Sequence, residues 1–142
     1  MNIVKTTQTH PTLIAAVALY GLRWAGAALH NHIKVAPLAA AGDEQAQAAV
    51  VERPEANLFG IPNSLYGITY YAAVLLLALS GRLEQRTWRR LARLATLAAL
   101  SRSAVLLTTL WRTHTWCPIC MRGHATNAAL ALLLFPPAVE HD

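Results

Sequence analysis

The chain is short of charge. Charged residues make up 13% of its 142 residues and apolar residues 55%, whereas a typical soluble domain carries about 25% charged residues. That deficit excludes an ordinary water-facing surface and makes membrane lipid the expected surroundings. The chain is also short of cysteine. It has two, too few for a disulfide framework. Its seven acidic residues all lie outside the long apolar runs, and there is no internal repeat. The one compositional bias is alanine, which suits close helix packing in lipid. The length sets the expectation of a single domain over residues 1–142.

What charge there is has a pattern. The net charge is +5, and a basic protein invites a nucleic-acid reading. Here five of the ten arginines (Arg82, Arg86, Arg89, Arg90 and Arg93) fall in one short stretch, "GRLEQRTWRRLAR", flanked by apolar runs. Arginines gathered between two hydrophobic segments mark a cytoplasmic loop, so no nucleic-acid partner is expected.

A membrane-spanning helix needs about 20 mostly apolar residues. Four segments are expected to span: Thr12 to His30, Ser64 to Ser80, Leu91 to Trp111, and Ile119 to Phe135, with Pro136 and Pro137 ending the last. The first carries Arg23 and has no small-residue cleavage site after it, so it reads as a retained span rather than a signal peptide. The fold class is therefore all-α, an integral membrane four-helix bundle. With the arginine loop from Gly81 to Arg90 inside, both termini are cytoplasmic. The long outer loop between helices 1 and 2, Asn31 to Pro62, then faces outward together with the turn "RTHTWCPIC". Within that loop "DEQAQAAVVERP" suits a short amphipathic helix capped by Asp43. Trp88, Trp111 and Trp116 suit interfacial belts, and Arg90 and Arg93 can snorkel to the inner headgroups.

Both cysteines stand three apart at the outward mouth of the fourth span. Pro118 suits a first helical turn, which puts Cys117 at the helix start and Cys120 one turn on. The positive end of a helix dipole stabilises a thiolate. Three readings are open: a redox pair, a metal site built from His114, Cys117, Cys120 and His124, and a structural bridge. The last closes so small a loop that it constrains little of the unfolded chain.

A second motif, "FGIPNSLYGITYY" from Phe59 to Tyr71, opens the second span on the same side. Gly60 and Pro62 make a tight entry, and Asn63 is placed to cap the helix. A polar face continues inward through Ser64, Thr69, Tyr70 and Tyr71. Taken with "CPICMRGHATN", this motif resembles the vitamin K epoxide reductase family, including its bacterial disulfide-forming members. The likeness extends over nearly the whole chain. It implies a four-helix membrane bundle holding a quinone (ubiquinone or menaquinone) near the outer surface of a bacterial inner membrane. It implies Cys120 as the quinone-facing cysteine and Cys117 as the one exchanging with thiols. Asn63 and His124 then meet the ring carbonyls, and Tyr71 and Phe59 complete the ring site.

The chain departs from the family in one respect. The first outer loop lacks the two relay cysteines most members carry; Ala39 and Gln47 stand near their places. Three possibilities are open. A thioredoxin-like thiol partner acting in trans reaches Cys117 directly, a separate chain supplies the relay, or the chain has given up disulfide exchange for another use of the quinone-type pocket. The redox reading implies a partner in trans. In an envelope kept oxidising by quinones, electrons are expected to run from thiol to quinone. A metal-transfer protein and a non-catalytic membrane subunit are the alternatives. Arg23 and Arg102 lie near mid-span without an acidic partner in any span, and are expected to face the interior and bond carbonyls, Ser101, Ser103 or water. His30 and His32 are expected at the interface, or over the cysteine pair in place of the missing thiols.

Overall fold

Proline opens two of the helices, because its missing N–H is one a helix start leaves unpaired in any case. Pro11 begins α1, Pro11–Ala40, and Pro118 begins α4, Pro118–Leu134. Between them lie α2, Asn63–Leu79, and α3, Arg86–Arg112. The computed structural model describes residues 10–45, 49 and 53–135. All four expected helices are present. By length and composition α1 and α3 are long and apolar enough to cross a membrane, and α2 is a shorter apolar helix.

The chain reversals follow from local chemistry. Gly81, in the left-handed region at φ 69°, ends α2 as a glycine just past a helix end does. A single 3-10 turn, Arg82–Glu84, then leads into α3. At the other end of α3 the left-handed residue is His114, at φ 49°. The Thr115 N–H reaches back to the Leu110 carbonyl at 3.0 Å, closing the reversal that a Schellman ending makes. A second 3-10 turn, Pro54–Ala56, precedes a pair of two-residue antiparallel strands, β1 Asn57–Leu58 and β2 Ile61–Pro62. Phe59 and Gly60 both have positive φ, as the two central residues of a type I′ hairpin turn must.

Several sequence expectations are corrected. α1 runs ten residues past His30 and carries Pro37 within it, so the connection from α1 to α2 is shorter than Asn31 to Pro62. "NHIKVAPLAA" holds no glycine, and Pro37 sits close enough to the helix end to cost one backbone bond. The bundle also contains the small β1–β2 hairpin, absent from an all-α expectation. Asn63 does not cap α2. It is the first helical residue, Pro62 holds the cap position, and no side chain caps that end. Arg93 has a partner that its spacing did not suggest. Its Nε donates to the Leu134 carbonyl at 2.7 Å, a cation satisfying the end of α4. Glu44 and Gln45 are helical as expected after Asp43. The rest of that amphipathic segment, Gln47, Pro136 and Pro137 lie outside the described residues.

Packing decides where the site falls. α1 lies against α2 and α4, and α4 against α3, while α2 and α3 barely touch. The core sits at the end of the bundle near the arginine loop. There Ile14, Ala18, Val74, Leu83, Leu130 and Leu134 are buried. Toward the opposite end α1 and α2 approach closely through small residues. An added Cβ at Gly67 would lie 3.3 Å from the Ala25 Cβ, and one at Gly21 would lie 2.6 Å from the buried Tyr71 ring. Gly21→Ala is therefore expected to destabilise by about 1–3 kcal/mol, the cost of overpacking a filled interior. Thermal unfolding in detergent checks this, alongside the control Gly26→Ala, where an added Cβ meets no atom within 4 Å. Equal midpoints for the two variants would contradict it.

Candidate functional site

The divergence of α2 from α3 leaves a cavity of about 840 Å³, a size typical of small-ligand sites. Five residues of α4 line it: Ile119, Cys120, Gly123, His124 and Asn127. Their three- and four-residue spacing puts them on one helix face. α2 contributes Asn63, Gly67, Tyr70 and Tyr71, and α3 contributes Arg102 and Ser103. The remaining wall is largely alanine and leucine.

Cys117 and Cys120 are disulfide-bonded, with Cα atoms 5.2 Å apart. Cys117 holds the N-cap of α4 in extended conformation, and its Sγ accepts the Cys120 N–H at 3.3 Å. That N–H and the helix dipole are in place to hold negative charge once the bridge is opened. The two sulfurs are not equivalent. Cys120 lines the cavity and Cys117 does not, so the pair connects the turn after α3 to the cavity.

The Tyr71 hydroxyl donates to Asn127 Oδ1 at 2.7 Å and to the Gly123 carbonyl at 3.1 Å. Asn127 Nδ2 in turn donates to Ser103 Oγ at 2.8 Å. This chain ties α2, α4 and α3 together behind the cysteines. It also engages the single phenolic proton, so Tyr71 offers the cavity its ring face rather than a donor. His124 lines the same cavity one turn below Cys120, and its buried Nε2 has no partner among the described residues.

Of the sequence-derived site residues, Cys120, Asn63, His124 and Tyr71 line one space, and Cys117 is bridged to it through Cys120. Phe59 is 91% exposed at the tip of the hairpin turn and does not line the cavity. His32 lines the cavity, whereas His30 is exposed and lies outside it. His114 is exposed on its turn. Among the described residues no three His, Cys, Asp or Glu side chains gather as a metal site would require.

Arg102 was legible only as an unexplained mid-span cation. Its Nε donates to Asn63 Oδ1 at 3.3 Å, and its Nη2 donates to the Asn57 carbonyl at 3.4 Å and to the Glu55 carbonyl. The expected carbonyl partners are there, but Ser101 and Ser103 are not among them. Ser101 bonds back to the Leu97 carbonyl of its own helix. Arg23 lies against Trp24, with its guanidinium carbon 5.6 Å from the ring centre. Arg122 approaches the same indole at 4.1 Å.

The family model described as "Vitamin K epoxide reductase family" matches residues 12–135. No curated protein and no solved structure matches the chain.

Proposed function

The chain belongs to the vitamin K epoxide reductase family, and from that premise we propose that it is a membrane thiol–quinone oxidoreductase. It passes electrons from a thiol partner through Cys117 and Cys120 to a quinone. The observation that carries this reading is that Cys120, bridged to Cys117, shares one apolar cavity with Asn63, His124 and Tyr71. The cavity is large enough for a quinone ring with part of a prenyl tail, and its apolar walls suit both.

Within this reading each residue has a task. Cys117, at the outer mouth, exchanges with the partner thiols. The disulfide accepts two electrons from that partner and becomes two thiols. A quinone supplies the balancing half, taking up two electrons and two protons. Cys120 is the sulfur that faces the ring. The Asn63 amide and the His124 ring are the polar groups available to the two carbonyl oxygens, where negative charge develops. His124 also offers a proton-carrying nitrogen at that place. Tyr71 closes the pocket with its ring. Four helices crossing a bacterial inner membrane, with the cysteine pair on the outer side and both termini inside, complete the proposal. With no relay cysteines in the outer connection, the partner is a thioredoxin-like protein that reaches Cys117 directly.

The thiol content of the purified full chain tests this. After chemical reduction and removal of the reductant under anaerobic conditions, the chain is expected to titrate two thiols. One equivalent of a short-tailed ubiquinone or menaquinone is expected to remove both while the quinol band appears. Thiols that persist beside unreduced quinone would overturn the reading.

A further inference from the structure

Arg102 is a cation inside the bundle, and no carboxylate pairs with it among the described residues. A charge among apolar helices is costly unless its donors are satisfied, so its contacts bear on what it does. All three go to oxygens: Asn63 Oδ1, the Asn57 carbonyl and the Glu55 carbonyl. One arm therefore holds the first residue of α2, and the other holds the first residue of β1 and the 3-10 turn just before it.

A guanidinium has donors and no acceptor. The Asn63 atom it touches must therefore be the oxygen, which fixes the amide. Nδ2 points away from the guanidinium, and no described residue accepts from it. Asn63 and Arg102 both line the cavity. Resting on the thiol–quinone reading above, we propose that Arg102 is a positioning residue. It turns the Asn63 carboxamide so that N–H groups, and not the oxygen, meet a ring carbonyl, and it anchors that setting to the chain at Glu55 and Asn57.

The physical reason is the near symmetry of a carboxamide. Unheld, it rotates between two orientations of similar size. One donates to a carbonyl oxygen and the other sets oxygen against oxygen. Engaging Oδ1 with a cation removes the second orientation and polarises the amide, making its N–H groups better donors. The fork of the guanidinium lets one side chain reach Asn63 and the hairpin approach at once. An ammonium cannot reproduce that planar geometry.

The test uses the full chain in lipid nanodiscs with a short-tailed ubiquinone, comparing Arg102→Met, Arg102→Lys, Asn63→Ala and the double variant Arg102→Met/Asn63→Ala. Arg102→Met is expected to lower kcat/KM for the quinone about 10- to 100-fold, the range for losing an interaction of about 1.4–2.7 kcal/mol, with Arg102→Lys recovering part. Because Arg102 acts through Asn63, the double variant should be no slower than Asn63→Ala alone. Wild-type turnover in Arg102→Met overturns the proposal, and so does a double variant in which the two losses multiply in full. If the wild-type chain reduces no quinone, the thiol–quinone reading fails instead. The side-chain amide resonances of Asn63, identified by their loss in Asn63→Asp, then decide the clamp. Displacement in Arg102→Met supports it, and unchanged resonances overturn it.

Discussion

Cys120→Ala is expected to abolish quinone reduction, with a fall in turnover of at least about a thousandfold, as befits loss of a reacting nucleophile. The substitution removes the only sulfur that lines the cavity among the described residues and leaves its geometry intact. Cys120 is partly buried on a helix that other contacts hold in place, among them Tyr71 to Asn127 and Arg93 to Leu134. Cys117 stays at the N-cap in this variant, so it should still be captured by an activated aromatic disulfide offered from the water side. Cys117→Ser gives the converse pattern. It is expected to lose exchange with a thioredoxin-like protein while keeping a thiol that faces the quinone. Anaerobic quinol absorbance and thiol labelling read the two halves separately. Quinone turnover that survives Cys120→Ala would remove the basis of the mechanism, whereas identical labelling of both variants from the water side would remove only the division of labour.

The second large effect is expected at Asn63. Removing one preorganised donor from a site where negative charge develops costs about 10²–10³ in kcat, roughly 2.7–4 kcal/mol. Asn63→Ala should show that loss with a smaller change in KM, because the apolar walls that bind the ring remain. Asn63→Asp is the sharper variant. It keeps the shape and can still accept from Arg102, so folding is preserved. It offers no donor, and it places an anion where the oxygens of the ring gain charge. Its turnover should be lower than that of Asn63→Ala. Steady-state rates against quinone concentration check both, and an Asn63→Asp variant within threefold of wild type would contradict the role.

Much of this site could be read from the chain because its parts are local. Pro118 and the three-residue spacing of the cysteines fix Cys117 at a helix start and Cys120 on the face that also carries His124 and Asn127. Periodicity alone brings those residues together. The tight entry to α2 was likewise signalled by Gly60 and Pro62. What escaped depends on contacts between segments distant in sequence. Nothing near Arg102 says that its partners are carbonyls some 45 residues earlier. Nothing near Asn63 says that its side chain serves Arg102 rather than the helix end. The exposure of Phe59 follows from a two-residue turn that swings its ring away from the bundle, whereas the motif by itself placed it with its neighbours. The Gly21–Tyr71 contact was hidden for the same reason. A glycine in an alanine-rich run reads as helix packing in general, and only the folded bundle shows which ring occupies the space.

α2 and α3 barely touch, and the space between them extends from Leu77 and Leu91 up to Asn63 and Cys120. On the proposed thiol–quinone reading, with the helices in a bilayer, that gap would serve as a side door. A polyprenyl substrate would then never leave the oily phase: its head would slip inward between two helices while its tail trailed outside, and spent molecules would be swapped for fresh ones by sideways diffusion. Selection then acts on the head, so short- and long-tailed substrates should be used with similar efficiency.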